Sequence, residues 1–130
     1  MAKTFVDSSF WVALADSSDQ WHKPARKSWR AAGPLLTTTS VIDETISLLQ
    51  WRGQLSFALE YLDKLRTDEN LLIVYPDADT WAEGWRFFRK YGGSGAGAVD
   101  CLSFAVMRRF GLKRALTFDA HFRVAGFSTL

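Results

Sequence analysis

The chain has 130 residues, enough for one domain with a proper core and too few for two ordinary ones. With 48% hydrophobic and 15% aromatic residues it is not a disordered chain, and its net charge of +2 is too small to name a partner by itself. A single cysteine, Cys101, excludes an internal disulfide, and the absence of an apolar run of signal-peptide or membrane length predicts a soluble, cytoplasmic protein with a reduced, buried thiol.

Thr4, Phe5 and Val6 are a short β-branched and aromatic run, which predicts a buried strand, and the run ends on Asp7. Phe10, Trp11, Val12 and Leu14 predict a short apolar helix that stops near residues 16–19. Asp19 can cap a second helix reaching about residue 32, with Trp21, Ala25 and Trp29 on one face, and Gly33-Pro34 stops it. A second strand is predicted over residues 35–38, and Ser40 caps the helix that follows over 41–51. In that helix Val41, Ile42, Thr45, Ile46, Leu48 and Leu49 form one stripe; at a hundred degrees per residue Glu44 falls at its edge and Asp43 nearly opposite. A fourth helix, over 54–65, carries Leu55, Leu59, Leu62 and Leu65.

The run 71–75 is the clearest strand, its continuous apolar character typical of a parallel sheet covered on both faces. Pro76 ends it, and residues 78–90 predict a helix with Trp81, Trp85 and Phe88 turned inward. The glycine-rich stretch 91–97 lacks the Gly-Lys-Ser/Thr ending of a phosphate loop and reads as a mobile loop feeding the next helix. That helix, over 98–110, is apolar on nearly every side apart from Asp100, Ser103 and its terminal arginines, which predicts a central position. A last strand, 115–118, runs into Asp119; a helical turn over 120–125 and an edge strand over 127–130 complete the chain. Strands alternating with single helices or helix pairs predict one α/β domain, a parallel sheet of four to five strands between two helical layers.

Asp7, Asp100 and Asp119 each stand where a helix cap would stand, and Glu44 alone is an ordinary helical residue. Jointly they read differently: two end probable parallel strands, where open sheets place their ligands, and the third begins an almost wholly apolar helix. Buried carboxylates brought together cost several kcal/mol unless a cation neutralises them, and hard divalent ions with oxygen ligands are the ordinary solution. The two histidines, His22 and His121, with one cysteine cannot build a thiolate–imidazole zinc site. His121, two residues after Asp119, could assist it, but reads first as a surface or helix-turn residue. Basic residues cluster early (His22, Lys23, Arg26, Lys27, Arg30) and late (Arg108, Arg109, Lys113, Arg114), either as solvated helix faces or as a basic rim suited to a polyanion.

Four segments, 6–9, 38–44, 100–105 and 116–122, each holding one of these acids in this order, resemble the PIN domain, and most closely its VapC-type ribonuclease toxins; the spacing of Asp16, Asp19, His22 and Ala25 is similar too. The resemblance implies a PIN-like three-layer sandwich and Mg²⁺, or Mn²⁺, held by Asp7, Glu44, Asp100 and Asp119. It also implies RNA hydrolysis by water without an amino-acid nucleophile. Ser8 or Thr117 would hold a carboxylate or water in place, and Arg108, Arg109, Lys113 and Arg114 would hold the RNA backbone. A homodimer and a small cognate antitoxin are the implied partners. The antitoxin's segment would lie over the tryptophan-rich early helices, residues 10–29, and plug the acidic site, with some of Trp11, Trp21, Trp29 and Trp51 half exposed in a partner groove rather than in the core. The chain departs from the pattern at residues 92–99, where glycines and Val99 replace bulkier residues and a hydroxyl before the third Asp. Competing readings are a non-catalytic PIN-like module that binds RNA or protein, and a metal-dependent phosphatase or DNA nuclease on the same scaffold.

Overall fold

Thr4, Phe5 and Val6 form strand β1 (Thr4–Val6), fully buried at the centre of a five-stranded sheet. The arrangement is that of a computed structural model describing residues 2–129. The other strands are β2 (Leu35–Thr38), β3 (Leu71–Val74), β4 (Arg114–Leu116) and β5 (Ser128–Thr129), and every pairing is parallel in the order β3-β2-β1-β4-β5. The chain runs from β1 to one edge, then crosses back to lay β4 and β5 on the other side. The order therefore reverses between β1 and β4, and beyond the strand ends at such a switch point an open sheet leaves a crevice.

Among the described residues seven helices cover the sheet: α1 (Ser8–Ala15), α2 (His22–Ser28), α3 (Thr39–Trp51), α4 (Leu55–Thr67), α5 (Ala78–Tyr91), α6 (Ala98–Arg109) and α7 (His121–Val124). Helices α1 to α4 pack on one another, and α5 and α7 pack on α6. Right-handed crossovers put these two groups on opposite faces, which gives the three-layer sandwich predicted from the sequence. Helix α6 is central as its composition requires, burying Cys101, Ser103, Phe104, Ala105, Val106 and Met107. Phe104 stacks edge-on against Phe87, Tyr91 and Phe122, and Phe122 in turn meets Phe5 of β1. Among the described residues no helix is long and apolar enough to cross a membrane.

The structure corrects several local expectations. Thr38, not Ser40, caps α3, its hydroxyl accepting the Val41 N–H at 3.1 Å. The second helix starts at His22 because Pro24, which lacks an N–H, fits only its first turn, and after Ser28 it tightens into a 3₁₀ turn (Trp29–Ala32). Strand β3 is an edge strand and leaves Leu72 exposed, so its apolar run is not covered on both faces. Helix α4 buries Ala58 and Leu65 and leaves Leu55 and Leu59 open, because the small Ala58 is the side that fits against Val12 and Leu49. The largest departure is α5, which turns Thr80, Gly84 and Phe87 inward and leaves Trp81, Trp85 and Phe88 57%, 40% and 37% exposed. Gly84 explains the rotation: a Cβ there would stand 3.1 Å from the Leu102 Cα, so only this face allows α5 to lie close on α6. At the C-terminus, the predicted edge strand is β5; Leu130, its last expected residue, lies outside the described residues.

Candidate active site

The register of β1 against β4 sets Val6 opposite Leu116, so Asp7 and Thr117 leave the sheet side by side at the switch point. Asp7 is 1% exposed and serves as the N-cap of α1. Its Oδ2 accepts three donors, the Ser9 hydroxyl at 2.8 Å, the Thr117 hydroxyl at 2.9 Å and the Ser9 N–H at 3.4 Å. Its Oδ1 is buried with no hydrogen-bond partner. Burial pushes the Asp7 carboxyl up, against the pull of the Ser9 and Thr117 hydrogen bonds.

The other three acids meet Asp7 in one cleft of about 710 Å³, walled also by Ser8, Ser9, Trp21, Arg52, Val99, Phe118 and His121. Asp100 sits in the first turn of α6, its Oδ2 accepting the Gly97 N–H at 3.2 Å, so it is capping residue and cleft residue at once. Burial, with the charges of Asp7 and Asp119 beside it, pushes its carboxyl up to about 7. Glu44 accepts a short hydrogen bond from the Ser8 hydroxyl, while Asp43, one position before it, is exposed. Asp119 accepts the His121 N–H at 2.9 Å and lies 2.6 Å from its Nδ1, while Nε2 of the same ring meets the Ser94 carbonyl at 3.0 Å. With an oxygen at each nitrogen, the imidazole is stabilised as a cation; the Ser94 carbonyl and then Asp119 raise its pKa.

These residues fit a hard divalent cation. Asp100, Asp119 and His121 each offer a donor atom within 4.8 Å of the others. Because both His121 nitrogens are already engaged, the donor set left for a cation is carboxylate oxygen, including the unpartnered Oδ1 of Asp7. Uncompensated negative charge in a half-buried cleft is what a cation would relieve.

The late basic cluster does not rim this cleft. Arg108 and Arg109 close α6, so Arg109 lies about 13 Å along the helix axis from Asp100. Lys113 and Arg114 stand at the opposite end of β4 from the cleft. Arg109 is paired with Asp77 at 3.2 Å, and Arg108 lies over the Phe87 ring. Besides His121, the cleft is lined by the guanidinium of Arg52, which follows α3 and is held by Asp16 at 2.7 Å and Asp19 at 3.1 Å. The glycine-rich stretch is folded rather than open: a 3₁₀ turn (Gly92–Ser94) and a left-handed Gly95, tied to His121 through Ser94. Sequence reasoning did not assign Ser9, Arg52 or the His121 clamp; the Asp-x-His spacing at 119–121 was the one available signal.

Comparison with known proteins agrees with this fold. The family model for the PIN domain matches residues 4–128. The chain is 33% identical over 124 residues, 95% of this chain and 94% of the relative, to the 23S rRNA-specific endonuclease VapC20 of Mycobacterium tuberculosis, in strains CDC 1551 / Oshkosh and H37Rv alike. It superposes on the crystal structure of that species' VapC20, a sarcin–ricin loop cleaving toxin, with a TM-score of 0.89 at 31% identity over 96% of both chains. A VapBC2 structure from Rickettsia felis bound to promoter DNA gives 0.72 at 10% identity over 99% and 98% of the two chains. That last likeness shows the fold alone.

Proposed function

Since the chain belongs to the PIN domain family, we propose that it is a metal-dependent endoribonuclease and the toxin of a toxin–antitoxin pair, cytoplasmic, cutting 23S rRNA at the sarcin–ricin loop. One observation carries the site assignment: the buried, partnerless Oδ1 of Asp7 in a cleft shared with Glu44, Asp100 and Asp119. Asp7, Asp100 and Asp119, with Glu44 beside them, would hold Mg²⁺ or Mn²⁺. Bound there, the ion supplies an acidified water and offsets charge on the phosphoryl oxygens.

The chain's own residues then do the positioning. Ser9 and Thr117 fix one oxygen of Asp7 and leave the other free; Ser8 fixes Glu44; His121, braced on the Ser94 carbonyl, fixes Asp119. Fixed carboxylates lose little orientational freedom on binding a cation, which is the advantage of a preorganised site. The test is cleavage of a synthetic sarcin–ricin hairpin by the purified protein in Mg²⁺, with and without chelator. Cleavage is expected to stop in chelator and to fall on the order of a hundredfold in Glu44→Gln, while Asp43→Asn retains it. Cleavage that survives chelation removes the metallonuclease reading; the reverse ranking of the two variants removes Glu44 from the site.

The partners follow from the exposed apolar residues. Leu48, Trp51, Leu55 and Leu59, on α3 and α4, offer a small antitoxin a surface that reaches the cleft through Leu48. The exposed Trp81, Trp85 and Phe88 of α5 offer a surface to a second copy in a homodimer. Light scattering at micromolar concentration is expected to give a dimer that Trp85→Glu dissociates; a strict monomer removes that assignment.

A further inference from the structure

Three aromatic rings form a column on the cleft wall. Phe10 stacks on Phe118 with centroids 5.5 Å apart and planes 10° from parallel, and Phe118 stacks on Trp21 at 5.2 Å and 9°. Phe10 lies three residues after Asp7 and Phe118 directly before Asp119, so the column is built on the segments that carry the carboxylates. The Phe118 N–H donates to the Ser9 hydroxyl, which itself holds Asp7. Trp21 ends the column; it lines the cleft and is 44% exposed.

The segment that carries Trp21 is held firmly. The buried Asp16 accepts the Ser18 N–H and hydroxyl, and Asp19 accepts the Trp21 N–H at 2.9 Å. Arg52 ties Asp16 and Asp19 together from the end of α3. The indole plane is thus fixed relative to Asp7 and Asp119 before anything binds.

The charge lining the cleft gives such a surface a role. RNA-binding affinity ordinarily comes from cationic contacts to phosphates. Here the cleft is acidic, its lining cations among the described residues are already engaged (Arg52 by two carboxylates, His121 by Asp119 and the Ser94 carbonyl), and the late basic cluster lies at the other end of α6 and β4. The exposed Lys23, Arg26 and Lys27 of α2 do not line the cleft, so attraction within it falls to the bases, and a flat ring ending a parallel column is matched by another flat ring. Resting on the ribonuclease reading above, we propose that the outer face of Trp21 is a base-stacking subsite that takes one unpaired nucleobase adjoining the scissile phosphate. The enzyme accordingly selects RNA in which that base is unstacked.

The test uses a synthetic sarcin–ricin hairpin, intact and with an abasic ribose at each loop position in turn, cut by wild type, Trp21→Ala and Trp21→Tyr. For wild type, one abasic position beside the cut is expected to lower kcat/KM between about fivefold and a hundredfold, chiefly through KM. Trp21→Ala should cut the intact hairpin that much more slowly and be indifferent to base removal at that one position, while Trp21→Tyr behaves as wild type. In parallel, 2-aminopurine at each loop position reports stacking by quenching whether or not the strand is cut, and Trp21→Ala should abolish the quench at one position. Cleavage with no position whose base dependence vanishes in Trp21→Ala overturns the subsite and leaves the ribonuclease intact. A Trp21-dependent quench without cleavage does the opposite, and absence of both overturns both. Should Trp21→Ala not fold, the abasic series on wild type still decides: equal rates at every position overturn the proposal.

Discussion

Asp7→Asn is expected to lower RNA cleavage on the order of a thousandfold or more while the fold survives. The hydrogen bonds of Asp7 show why so conservative a change should act so strongly. Three donors converge on Oδ2, so the amide oxygen of an asparagine must take that place. Its NH₂ then takes the position of the buried, partnerless Oδ1, where no oxygen remains for a cation. Stability should move the other way. Burial already pushes Asp7 toward its neutral form, and a neutral amide in this place is less costly than an unpaired buried charge. In chelator the variant should therefore melt at or above the wild-type temperature. Cleavage at the wild-type rate in Mg²⁺ would place the active site elsewhere; a collapsed melting curve would make Asp7 a structural cap first.

The ends of β1 and β4 were legible in the sequence because a parallel strand delivers its terminal residue to one predictable side of the sheet. The orientation of α3 was legible too: a hundred degrees separates Asp43 from Glu44, and the structure has the first exposed and the second in the cleft. Helix α5 was not, because Trp81, Trp85 and Phe88 are the more apolar face and hydrophobicity alone turns them inward. What decides is the close approach at Gly84, a contact with Leu102 that belongs to another helix and has no periodic signature. The exposure of Trp21 was one of two readings open in the sequence, but its stacking partner was not legible, for a related reason. Grouped with Ala25 and Trp29 it made a plausible helical stripe, yet it precedes α2 and stacks on Phe118, 97 residues further along the chain. The basic cluster shows a different failure. Its charge was visible, but Arg108 and Arg109 follow Asp100 by more than two helical turns, and that spacing alone sends them to the far end of α6.

For Asp100 the cap and the cluster make opposite predictions. A capping carboxylate is replaced by asparagine almost without loss, since the amide oxygen can still accept the Gly97 N–H. A member of a repelling cluster is relieved by the same change. Burial, then Asp7 and Asp119, raise Asp100 from 3.8 to about 7, so the folded state holds its proton more tightly than the unfolded chain does. In chelator, wild-type stability should therefore fall as pH rises from about 4 to about 7, and Asp100→Asn should flatten much of that slope. Asp16 works in the opposite sense and outside this window. Burial raises it, but hydrogen bonds from Ser18 and Arg52 hold it far below the usual carboxylate range, so its contribution is lost only on strong acidification. His121, raised by the Ser94 carbonyl and Asp119, loses its contribution as pH climbs through that raised value, and this share should persist in the variant. Because Asp100 is only half-buried, water screens part of the repulsion, and the gain at neutral pH should be about 1 kcal/mol, or roughly 4 °C. Millimolar Mg²⁺ should stabilise wild type more than Asp100→Asn, since stabilisation by a bound ion follows its affinity for the native state. Cleavage should fall by orders of magnitude. Melts of both proteins in chelator and in Mg²⁺, at pH 5 and pH 8, separate the two accounts: coincident curves with retained cleavage would leave Asp100 a helix cap and nothing more.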